Sequence, residues 1–180
     1  ELGRRLEYVD SLRMGIIGEG DGAAITLLAI ERSNVFRVAV AISPPIFSGL
    51  AEFGFAGRKI LKKRSRSLFG RELEQNDLLR ELYARDMFRF LPKITTPLLL
   101  IAATSDPSYR DQLRFVEQLS AHGIEHQLLA YPGLFPEFMT AVDDGNRPPE
   151  WRQTQYAAWT EIFSALDKAL QLPEEEKSAR

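Results

Sequence analysis

The chain has 180 residues, enough for one domain with a sizeable core. It is 44% apolar and 27% charged with a formal net charge of -2, so no bulk field draws it to nucleic acid or to a membrane surface. It has no cysteine and two histidines, which excludes disulfides, thiolate chemistry and cysteine–zinc centres; no metal and no cofactor is expected. No apolar run is long enough to span a bilayer, and no signal peptide is visible. The compartment stays open, with the cytoplasm favoured.

Residues 2–12 read as a helix with Leu2, Leu6 and Val9 on one face. The stretch Arg-Met-Gly-Ile-Ile-Gly-Glu-Gly-Asp-Gly follows, from Arg13 to Gly22. It predicts a short buried strand at 14–17, a glycine-rich turn, and a helix over 23–31. Strand, tight turn and helix, with Gly18 and Gly22 flanking a central position, form the frame of a nucleophile elbow, G-x-S-x-G. The flanking glycines have a steric reason: side chains there would collide with the neighbouring strand and helix. The central residue of such a frame carries the nucleophile. Here it is Gly20, which has no side chain.

Residues 35–42 read as a second buried strand, ended by Ser43-Pro44-Pro45. Strand, helix and strand in this span make a βαβ unit and a parallel sheet. Residues 46–92 read as an excursion over the strand ends. It begins with Phe47, Phe53 and Phe55, carries a basic run (Arg58, Lys59, Lys62, Lys63, Arg64, Arg66), and turns helical near 72–90. The basic run reads as the solvated face of a helix rather than an anion site. Residues 97–103 form the clearest strand, and the loop Thr104-Ser105-Asp106-Pro107 leads to a helix at 109–121, closed by His122-Gly123. A strand at 126–131, an irregular loop at 132–149, a helix at 151–170 and a charged tail at 173–180 complete the chain. The fold class is α/β, a mostly parallel sheet flanked by helices. One domain at 1–172 contains the excursion at 46–92, and the tail lies outside it.

The order of these segments resembles the prolyl oligopeptidase family of α/β-hydrolases. Residues 13–22 are similar to its elbow, R-I-G-I-x-G-x-S-x-G-G. Phe36-Arg37-Val38-Ala39-Val40-Ala41-Ile42-Ser43 resembles F-K-A-A-V-A-x-S. Ile94-Thr95-Thr96-Pro97-Leu98-Leu99-Leu100-Ile101 matches I-x-T-P-L-L-L-I-H-G, and Tyr131-Pro132-Gly133 matches Y-P-G-x-x-H-G-F, with Phe138 as its last residue. The resemblance implies that Asp106 stands at the family's catalytic acid, Gly20 at its serine and Pro136 at its histidine. Serine attack with histidine as base needs both side chains, and neither Gly20 nor Pro136 can supply one. The family fold has further strands before the elbow, so the chain resembles the C-terminal part of such a domain.

Each candidate has a plain alternative. Glu19 and Asp21 line the elbow as ligand-pocket candidates, or place negative charge at a helix N-terminus. Centring the elbow on Asp21 would put Glu19 where a tiny residue is needed. Asp106 accepts backbone N–H bonds before a helix, or offers a carboxylate to a cationic or hydroxylated ligand. His122 ends a helix and His126 opens a strand far from the elbow. Phe135, Pro136, Phe138 and Met139 form an apolar patch, either packed or lining a pocket with Phe135 and Phe138 as its ligand-facing residues. The resemblance implies a catalytically degenerate hydrolase homologue serving as a binding, regulatory or assembly module. The alternative is a serine peptidase or esterase whose missing groups come from elsewhere. A protein partner, a second copy, or a small-molecule or peptide ligand are its candidate occupants; nucleic acid and membrane are not.

Overall fold

Short apolar strands alternating with amphipathic helices bury both sheet faces only when the strands run parallel and helices cover each side. The chain follows that solution. The computed structural model describes residues 10–46, 70, 74, 77, 86–134, 138–140 and 150–171. The element order is β1 (Gly15–Glu19), α1 (Asp21–Arg32), β2 (Val38–Ile42), α2 (Met87–Phe90), a 3-10 turn (Leu91–Lys93), β3 (Leu98–Ala103), α3 (Tyr109–Ala121), β4 (His126–Tyr131) and α4 (Glu150–Leu170). The four strands form one sheet in the order β1-β2-β3-β4, every pair parallel.

Alternate residues of the central strands feed two cores. On one face, Ala39, Ala41, Leu98 and Leu100 pack with Leu27 and Ile30 of α1, Met87, Leu91, and Phe115 and Leu119 of α3. On the other, Val40, Ile42, Leu99 and Ile101 pack with Phe138, Met139, and Trp151, Ala158 and Ile162 of α4. Every residue of β2 and β3 is buried.

The strand expected at 14–17 is found at Gly15–Glu19, starting one residue later and ending two later, and it is not buried. Ile17 is 44% exposed, because β1 has no neighbour on its outer side among the described residues. The first βαβ unit is present, though β2 starts at Val38 rather than 35: Phe36 and Arg37 belong to the approach, where Arg37 N donates to Met14 O. The expected helix at 2–12 lies mostly outside the described residues. Its end is a turn, in which Asp10 Oδ1 accepts the Leu12 N–H at 3.0 Å. The basic run at 58–66 and the tail at 173–180 also lie outside. Of the excursion's helical return, α2 is described, capped by Asp86. Among the described residues no helix is long and apolar enough to cross a membrane.

Candidate functional site

Because all strands are parallel, their C-terminal ends and following loops share one side of the sheet, the usual place for a site in an open α/β fold. The turn after β1 is built around Gly20. Its backbone has φ 55° and ψ -122°, a region side-chain-bearing residues rarely adopt. Gly20 N donates to Ile42 O at 2.9 Å, carrying the β1–β2 ladder into the turn. Gly20 O then accepts Ala23 N and Ala24 N, which starts α1. A Cβ on Gly18 would lie 2.2 Å from the carbonyl oxygen of Gly22, so the close approach of strand end and helix start requires glycine there. A Cβ on Gly22 would meet nothing within 4 Å, so the expected steric demand falls on one flank only. A Cβ on Gly20 would also meet nothing within 4 Å; the turn presents this position to open space.

Asp106 follows β3 and is nearly buried, at 9% exposure. Its Oδ1 accepts both the backbone N–H and the hydroxyl of Ser108 at 2.7 Å, and its Oδ2 accepts Gln112 Nε2 at 3.0 Å. Gln112 Nε2 also reaches Pro44 O and Ser108 Oγ at 3.0 Å, so three acceptors share two N–H groups. This network joins the start of α3 to the loop after β2. It leaves Gln112 Oε1 and the buried Ser43 hydroxyl without partners. Ser43 is the one non-glycine described residue with positive φ, at 45°. Strain of this kind needs surrounding support, and Ser43 N donates to Ile101 O at 2.7 Å.

Glu19 braces the segment after β4. Its Oε1 accepts the Met139 N–H at 3.2 Å, and its Oε2 accepts the Thr140 hydroxyl. From the opposite side, Gln155 Nε2 of α4 donates to the carbonyls of Phe138 and Met139 at 2.9 and 2.8 Å. Phe138 and Met139 are buried in the core, and Phe138 packs against Tyr131 with ring centroids 5.5 Å apart. The elbow strand, residues 138–140 and α4 are thereby tied together. Burial, then the Glu161 charge, raise the Tyr131 phenol above its usual range.

The structure thus brings Glu19, Gly20, Ser43, Asp106 and residues 138–140 to the same side of the sheet. Asp21 opens α1 and is exposed, where its charge faces the positive end of the helix dipole. Phe135 and Pro136 lie outside the described residues. Both histidines are elsewhere: His122 Nδ1 contacts Gln118 O at 2.8 Å past the end of α3, and His126, opening β4, contacts Ile124 O at 2.7 Å. A hollow of about 710 Å³ lies at that far end too, between the starts of β2–β4 and the second half of α4. No group of three or more His, Asp or Glu that could hold a metal ion occurs among the described residues. Sequence reasoning missed Ser43 and Gln112. The Ser-Pro-Pro run read only as a strand terminator, and a lone glutamine in a helix carries no signal of a bridge.

Structural comparison finds the same fold in solved structures. Pyrococcus horikoshii acylaminoacyl peptidase is similar over 96% of this chain and 27% of its own, with a TM-score of 0.65 and 19% identity. Porphyromonas gingivalis dipeptidyl peptidase 4 is similar over 91% of this chain and 20% of its own, with a TM-score of 0.63 and 18% identity. The chain therefore spans about a quarter of the length of such structures. No curated protein sequence matches it. The profile of the prolyl oligopeptidase family matches residues 1–134. The chain belongs to the prolyl oligopeptidase family.

Proposed function

We propose that this chain is a catalytically degenerate member of its family, serving as a binding, regulatory or assembly module. The observation that carries the reading is Gly20: it occupies a tight strand-to-helix turn with φ 55° and offers no nucleophilic atom. Two further features support it. Asp106, at the position of the family's acid, spends its oxygens on Ser108 and Gln112. Pro136, at the position of the family's histidine, has no basic nitrogen. A serine mechanism needs the hydroxyl, and a base to take its proton. An assembly role is favoured by β1, whose outer edge has no neighbouring strand among the described residues and exposes Ile17; Phe163 of α4 is exposed as well. Residues 1–172 are read as one domain with the excursion at 46–92.

A second reading rests on length. The chain covers 27% and 20% of the two peptidases it resembles, so a nucleophile and a base can come from outside it. Hydrolysis of p-nitrophenyl esters and aminoacyl p-nitroanilides, measured on the protein together with any segment or subunit that accompanies it, separates the two. The degenerate reading predicts no turnover that tracks the protein peak through repurification. Turnover above roughly 1 per second, an ordinary enzymatic rate, supports the second reading and defeats the first.

A further inference from the structure

Glu31 lies in the last turn of α1, 3% exposed, and neither carboxylate oxygen has a hydrogen-bond partner. Buried carboxyls are ordinarily paired, because an ionised one without partners is costly to bury. Its neighbours along α1, Leu27 and Ile30, pack in one cluster with Met87, Leu91 and Ile94. Those three belong to the return segment, residues 86–94, that carries the chain back into β3. The segment is slight: the four residues of α2 and one 3-10 turn. It is held by the buried side chains of Met87 and Leu91, by the bond from Phe88 N to Asp86 Oδ1 at 3.0 Å, and by the bond from Ile94 N to Leu91 O at 2.9 Å. The charged groups that act on Glu31 are Arg32 on α1 itself, and Asp86 and Lys93 on the return segment.

We propose that Glu31 is a proton-operated catch: its neutral carboxyl lets the return segment, residues 86–94, close over the end of α1, and its ionisation loosens that closure. A neutral carboxyl can stay buried at the end of α1, next to the contact between Ile30 and the return segment. A carboxylate there calls for water, and Asp86 adds repulsion. Among the described elements that pack on α1, the return segment is the slightest, while β2 is buried throughout, so parting α1 from that segment is the opening the proposal invokes. Burial is the main cause that pushes the Glu31 carboxyl from 4.5 up to about 8; Asp86 acts in the same direction, and Arg32 and Lys93 oppose it.

The direction of the response follows from proton counting. In the opened state the carboxyl returns towards its ordinary 4.5, so between 4.5 and about 8 the opened state binds fewer protons than the closed one. Opening becomes easier as pH rises through that window and levels off above it. The catch concerns the anchoring of the return segment and is independent of any chemistry at the elbow.

Amide hydrogen exchange of the whole chain at about pH 5.5, 7 and 8.5, corrected for intrinsic exchange rates, tests it. In the parent protein, protection of the Phe88 and Ile94 amides is expected to fall by roughly tenfold or more across that range. These amides should exchange faster than those of Leu99 and Leu100 in β3, as a local opening requires. In Glu31→Gln, which is neutral at every pH, the corrected protection should stay flat. Glu31→Met is a second neutral variant of similar length and carries the same expectation, should the glutamine variant not fold. The proposal is overturned if the neutral variant keeps the parent's pH slope. It is also overturned if the Phe88 and Ile94 amides exchange only together with β3.

Discussion

Glu19 and Thr140 stand 121 residues apart in the chain, and their side chains meet at the end of β1, the Thr140 hydroxyl donating to the Glu19 carboxylate. The same carboxylate accepts the Met139 N–H. The residue beside Gly20 is thus committed to bracing the segment after β4. Glu19→Ala leaves the Met139 amide and the Thr140 hydroxyl to find other partners. Hydrogen bonds to a charged acceptor contribute about 1.5–3 kcal/mol when partly buried. A urea-midpoint loss of about 1–3 kcal/mol is expected, with faster exchange at the Met139 amide. Unchanged exchange at Met139 would show that Gln155 and core packing hold the segment without Glu19.

The two glycines flanking Gly20 should respond in opposite ways. At Gly18 the added methyl would sit 2.2 Å from a backbone oxygen, which no rotamer change can relieve. Gly18→Ala is expected to cost more than about 3 kcal/mol, beyond ordinary overpacking. At Gly22 the methyl meets nothing within 4 Å, and the residue lies in α1. Gly22→Ala should be neutral or stabilising by about 0.5–1 kcal/mol, since alanine loses less backbone freedom in a helix. Thermal melts of both variants check the contrast, and equal effects would mean that the turn is packed differently.

Gly20→Ser tests the turn itself. Its side chain has room, because a Cβ there meets nothing within 4 Å. Its backbone does not suit it, because φ is 55°. The variant should fold and lose about 1–3 kcal/mol to backbone strain. It should hydrolyse no ester by itself, since nothing at position 136 can take the serine's proton. The family resemblance puts the histidine position at 136, so adding Pro136→His is expected to raise ester hydrolysis over either single variant. A Gly20→Ser protein as stable as the parent would contradict the strained turn.

Parts of this molecule were legible in the residues alone. The bounds expected for α3 and β4 are those observed: His122-Gly123 punctuates a strongly periodic helix, and β4 lies between that stop and Pro132-Gly133. The Leu98–Ala103 strand was equally plain, its apolar run being continuous. The exposure of β1 was not, since Met-Gly-Ile-Ile reads the same at the centre or the edge of a sheet; only its neighbours decide. At the site, the frame around Gly20 was visible as a glycine spacing. The Glu19–Thr140 bridge and the Gln112–Pro44 contact were not, because local periodicity says nothing about partners 121 or 68 residues away. The burial of Glu31 was not legible either, because a charged residue in the last turn of a helix carries no sign of what packs over it.

The central claim is that no activated nucleophile stands at the strand ends, and intact-mass analysis after incubation with a fluorophosphonate tests it most directly. Such probes modify a serine only where a neighbouring base and oxyanion donors activate it. The account predicts a parent protein whose mass is unchanged after prolonged exposure, with a known serine hydrolase labelled to completion alongside it. A stoichiometric adduct mapped by peptide analysis to a residue of this chain at the C-terminal ends of the strands, Ser43 or Ser108 for instance, would contradict it.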